Sequence, residues 1–142
     1  MNNVVGILKF IFYTSVLFVI VITLYPGSLL GLLLYGDPSI QPNLAENPYF
    51  TPIPNHLYTL ASIINHFIAY FYVSILGLCL YLRNHNFQKI VYGLFFLSIF
   101  LEALQFIVPR RAFEIYDVSA NFAGVLVAYC LIKIYKFWNS YE

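Results

Sequence analysis

Four long apolar runs, at residues 4–25, 57–82, 87–108 and 117–136, constrain this chain more than any other feature. A helix needs about 20 apolar residues to cross the hydrocarbon core of a bilayer. Each run meets that length. In lipid the backbone must satisfy its own polar groups, and apolar runs of this length do so as helices. The reading is therefore all-α: a polytopic membrane protein of four transmembrane helices, in one domain of 142 residues. Only 9% of the residues are charged, against 61% hydrophobic, whereas a soluble domain carries about a quarter charged.

The connections are as informative as the runs. Lys9 is the one charge in the first run and lies near its start, where its stem can snorkel to the headgroups. A secretory signal peptide is the competing reading of this run. The run is long and bulky, and no small-residue cleavage pattern follows at Tyr25-Pro26-Gly27, so a retained span is expected. Pro26 and Gly27 break the helix, and Ser28 to Tyr35 is too short to cross, so it is interfacial or re-entrant. From Gly36 to His56, five prolines (Pro38, Pro42, Pro48, Pro52 and Pro54) predict a long Pro-rich loop after the first span.

Charge then sets the orientation. Four spans place both termini and the 83–89 connection on one side. That side collects Lys9, Arg83, Lys89, Lys133 and Lys136, while Arg110 and Arg111 lie on the other. The positive-inside rule makes the termini cytoplasmic and the Pro-rich loop external, in a multi-pass protein of the cytoplasmic (inner) membrane. Lys136, Phe137, Trp138 and Tyr141 read as an interfacial anchor.

Several function classes drop out. Net charge is +1, with no basic tract, so nucleic acid is not an expected partner. There is no zinc-ligand spacing, and neither a metal nor a cofactor is expected. Cys79 and Cys130 both fall in apolar runs and read as small buried residues rather than a disulfide.

The stretch from Glu102 to Gly124 is where ionisable groups meet membrane helices. Such groups are expensive in lipid and are functional candidates by default. Helical spacing sorts them into three polar stripes: Ser62, His66 and Tyr70 with Ser74 below; Glu102 and Gln105 with Ser98 below; Asp117 and Asn121, continued by Gly124 and Ala128. Ser62, His66, Glu102, Gln105, Asp117 and Asn121 fall within roughly 15 Å of the external interface at 1.5 Å per residue. Lipid cannot satisfy these groups, so the stripes should face one another, with Gly124 and Ala128 permitting close helix approach beneath them. Simpler roles exist for each. Asp117 fits a helix cap worth about 1 kcal/mol. Asn121 and Gln105 fit interhelical glue at about 1 kcal/mol each. Arg110 and Arg111 fit solvated or lipid-phosphate contacts, although pairing of one with Asp117 or Glu102 accounts better for acids at depth. His66 fits a hydrogen-bonded core residue. Glu102 is the hardest to explain as structure alone.

The order Glu102-x-x-Gln105, Pro109-x-Arg111, Asp117-x3-Asn121 and Gly124, preceded by His66-Phe67-x-x-Tyr70, resembles the VanZ-like family of small bacterial membrane proteins. The likeness covers about the last 80 residues. It implies importance for His66, Glu102, Gln105, Arg111, Asp117 and Asn121, and a place in the cell envelope. The family is named for a protein linked to low-level resistance to the glycopeptide teicoplanin. Family members usually carry an Asp-Lys pair just before the His-Phe step, where this chain has Ser62 and Ile63. The cluster therefore lacks one acid and one base, which binding tolerates better than shared catalysis does.

Three functions are expected in order. The first is recognition of a lipid headgroup, glycolipid or glycopeptide drug at the outer leaflet, with Arg111 on a phosphate or carboxylate. The second is an intramembrane enzyme on a lipid-linked envelope precursor, with His66 or Glu102 as general base; a metal held by His66, Glu102 and Asp117 is a weak variant of it. The third is a structural subunit locked together by the cluster. Membrane lipids are the expected partners, and the sequence sets no oligomeric state.

Overall fold

The computed structural model describes residues 2–25, 36, 55–107 and 115–139. The expectations for the Pro-rich loop, the 28–35 segment, Arg110 and Arg111 lie outside the described residues. Within them, four helices run α1 (Asn2–Leu24), α2 (Asn55–Leu80), α3 (Phe87–Leu104, continued by a 3-10 turn at Gln105–Ile107) and α4 (Ile115–Trp138). There is no strand among the described residues. All four helices are long and apolar enough to span a membrane, so this is a multi-pass membrane protein.

The helix ends follow local chemistry. α2 stops where Arg83-Asn84-His85-Asn86 replaces its apolar run, and the Asn84 side chain accepts a hydrogen bond from the Asn86 backbone N–H at 2.9 Å, an Asx turn. That turn redirects the chain into α3. α4 begins at Ile115, two residues before the expected start. Asp117 thus lies within the first turn of α4 rather than at a cap position, where a carboxylate still meets the positive end of the helix dipole.

Contacts fix the directions of the helices. At the end carrying the 81–86 turn, the Phe12 ring of α1 lies over Gly77 of α2, Tyr13 and Tyr81 share a hydroxyl hydrogen bond of 2.7 Å, and the Lys136 ammonium of α4 stands 3.8 Å from the Phe87 ring centroid of α3. At the other end, His66 of α2, Glu102 of α3 and Asp117 and Asn121 of α4 converge. α1 and α3 therefore run one way, α2 and α4 the other.

The closest seam joins α2 and α4, which run parallel. A Cβ on Gly124 would lie 2.6 Å from the Phe67 carbonyl oxygen and 2.8 Å from the Phe71 nitrogen. Only glycine permits backbones this near, as is common where membrane helices associate by packing. Val125 and Ala128 extend the seam and are fully buried. The outward faces are apolar, with Tyr92, Phe96 and Leu126 exposed. Cys79 and Cys130 are exposed too, which corrects their reading as buried residues. Facing lipid costs a thiol nothing that a protein core would spare it, so an apolar run does not separate the two environments.

Candidate functional site

Three helices each supply part of one polar layer. α2 contributes His66, α3 and its 3-10 extension contribute Glu102 and Gln105, and α4 contributes Asp117 and Asn121. Asn121 is the centre. Its Oδ1 is 3.0 Å from His66 Nδ1, and its Nδ2 reaches Glu102 Oε2 at 3.4 Å and the Ser98 carbonyl at 3.5 Å. The other His66 nitrogen, Nε2, is 3.4 Å from Asp117 Oδ2, and Gln105 Nε2 donates to Glu102 Oε2 at 3.1 Å. A chain of contacts thus runs Asp117, His66, Asn121, Glu102, Gln105.

This pattern settles a proton. The Ser98 carbonyl only accepts, so the Asn121 amide must turn its NH2 toward Ser98 and Glu102 and its oxygen toward His66. His66 Nδ1 therefore carries a hydrogen and donates it to Asn121. Nε2 faces the Asp117 carboxylate, and that contact is attractive only with a second hydrogen on the ring or one on the carboxyl.

Burial divides the layer. Glu102 and Asn121 are 0% exposed, and Gln105 and Asp117 are also buried. The His66 side chain is 26% exposed and is the member that opens outward. It does so into a cavity of about 260 Å³ between α1 and α2, which Thr23, Asn65 and Tyr70 also line. Tyr70 is buried, and its hydroxyl lies against the Thr23 side chain of α1. One turn further, the buried Ser74 hydroxyl is without a hydrogen-bond partner among the described residues.

Of the residues picked out from the sequence, His66, Glu102, Gln105, Asp117 and Asn121 are brought together, with Ser98 beneath and Gly124 closing the α2–α4 seam. Tyr70 lies beside them at the cavity. Ser62 lies on α2, with its side chain outside the described residues, as are Arg110 and Arg111. Sequence reasoning missed Thr23, a buried polar residue on α1 at the level of Tyr70. Its only signal was a threonine near the end of the first apolar run, which also holds Thr14 and Ser15. No group of three or more His, Cys, Asp or Glu side chains suited to a metal occurs among the described residues.

No curated protein and no solved structure matches the chain. The family model described as VanZ/LLP1 matches residues 10–136, which include α1 from Phe10 onward and the whole polar layer. The span is wider than the 80 residues that carried the resemblance. The chain belongs to the VanZ/LLP1 family.

Proposed function

We propose that this VanZ-like membrane protein recognises the polar headgroup of an amphiphile at the outer leaflet of the cytoplasmic membrane, with both termini on the cytoplasmic side. The reading rests on one observation: the ionisable layer is internally hydrogen-bonded, yet it opens through His66 into a cavity at membrane depth. A layer that served only to lock helices would gain nothing from that opening. Asn121, Glu102 and Gln105 hold the His66 edge in place, and Arg111, the cation nearest in sequence to Asp117, supplies the charge for a phosphate or carboxylate. The headgroup belongs to a lipid, a glycolipid or a lipid-linked envelope precursor, and a glycopeptide drug is a further source of the same polar chemistry.

An intramembrane enzyme is the second reading, with His66 or Glu102 as its general base. Native mass spectrometry of the detergent-purified protein, beside Glu102→Gln and Arg111→Ala, tests the proposal. The expected result is a discrete adduct on the wild type that both variants lose while remaining folded. No adduct on any of the three, with both variants less stable to heat, would make the layer a structural lock. Turnover of an added lipid-linked substrate by the wild type and not by Glu102→Gln would make the protein an enzyme.

A further inference from the structure

The two ends of the bundle differ in charge. The end carrying the 81–86 turn presents Lys9, Arg83, Lys89, Lys133 and Lys136, while the acids among the described residues, Glu102 and Asp117, lie at the other end. None of the five cations forms an ion pair with a described residue. Two of them are held in place on α4. The Lys133 ammonium stands 5.5 Å from the Tyr129 ring centroid, one turn back on the same helix, and the Lys136 ammonium stands 3.8 Å from the Phe87 ring centroid of α3. Both lysines border an open cleft of about 590 Å³, whose other walls are Ile134, Phe137 and Trp138. Lys133 and Phe137 are four residues apart, as are Ile134 and Trp138, so ammonium and apolar groups stand side by side on one face of α4. Phe137 is 60% exposed and Trp138 73%, which leaves this face open to the bilayer.

Two placed ammoniums with no carboxylate beside them among the described residues call for an anion, and exposed rings next to them call for hydrocarbon. We propose that this cleft binds an anionic phospholipid, its phosphate between Lys133 and Lys136 and the start of its acyl chains against Ile134, Phe137 and Trp138. Charge complementarity selects this occupant. A zwitterionic lipid carries its own cation and gains less from two lysines, and a soluble anion leaves the rings uncovered. The positive-inside bias asks only for cations on one side of the membrane and fixes the position of none, whereas two are gathered here at one cleft. The site lies at the opposite end of the bundle from His66, so it stands apart from the headgroup reading and draws on the other leaflet.

Trp138 is the one tryptophan of the chain, so its fluorescence reports on this cleft alone. The test places the protein in phosphatidylcholine vesicles containing a rising fraction of phosphatidylglycerol brominated on its acyl chains or, in a parallel series, of phosphatidylcholine brominated in the same way. Bromine quenches an indole that it touches. Phosphatidylglycerol is expected to quench at the lower fraction, with a preference of about fivefold for each of the two lysines. Coincident curves would overturn the site. Lys133→Gln should cut the preference about fivefold, and because Lys133 stacks on its own helix the change leaves helix packing in place. An unchanged preference in that variant would also overturn the site. Lys133→Gln with Lys136→Gln should remove the preference, and Lys133→Arg with Lys136→Arg should keep it. Lys9→Gln with Lys89→Gln takes the same charge from the same end outside the cleft and should keep most of it. An equal loss in that control would make the attraction diffuse surface charge rather than a site. Added inorganic phosphate should leave the quenching unchanged, and competition by it would make the cleft a soluble-anion site instead.

Discussion

The α2–α4 and α1–α2 seams are built from the same kinds of helix and hold together by different means. At the first, Gly124 lets two backbones touch and Asn121 ties His66 to Glu102 across three helices. At the second, Phe12 covers Gly77, Tyr13 meets Tyr81, and a groove separates much of what remains. Burial of apolar surface drives neither seam, because lipid tails are as apolar as the side chains. Backbone proximity and hydrogen bonds decide which helices stay together. The lesson is that α2, α3 and α4 form the fixed unit, and α1 is a wall whose apolar neighbours can be protein or lipid.

Gly124→Val should distinguish the seams most sharply. Its side chain would collide with backbone atoms of α2 that no rotamer change can move, so a loss of about 3 kcal/mol is expected. Thermal unfolding in detergent, with the folded fraction read by size-exclusion chromatography, measures it. A near wild-type melt would mean that α2 and α4 are not in backbone contact.

Asn121→Leu comes next. It fits the volume but leaves the His66 and Glu102 groups that faced it without their amide, for a loss of about 2 kcal/mol. Combining Asn121→Leu with Glu102→Gln should cost less than the sum of the two, because they share one network. Additive losses would show that the contacts through Asn121 carry no coupling.

Gly77→Ala tests the looser seam. The added Cβ meets only the Phe12 ring, the end of a movable side chain, and alanine gains helix propensity over glycine. A net loss under about 1 kcal/mol is expected. A cost equal to that of Gly124→Val would erase the difference between the seams. Tyr13→Phe is the mildest, removing one interhelical hydrogen bond at about 0.6 kcal/mol. Its melt should lie close to wild type, and a large drop would make that contact the main anchor of α1.

Much of this architecture was legible before any coordinates. Run length alone gives the helix count, since crossing a bilayer takes about 20 apolar residues whatever their order. Spacing of three and four puts Asp117 with Asn121 and Glu102 with Gln105, because neighbours on a helix surface recur at those intervals. The inability of lipid to hydrogen-bond predicts that such stripes turn inward. Cys79 and Cys130 show where this reasoning fails: in a membrane both faces of a helix are apolar, so hydropathy does not say which residues face protein.

What the sequence determined by itself is therefore one-dimensional: four spans, the depth at which polar groups occur and the face of each helix that carries them. Tertiary structure decided the rest. It placed Asn121 rather than Glu102 at the centre of the layer, turned both His66 nitrogens inward, and set Thr23 against the Tyr70 hydroxyl. Such choices depend on distances between helices of 3 Å or so. Those distances are set by a few backbone contacts such as the one at Gly124, which no periodicity along a single helix encodes.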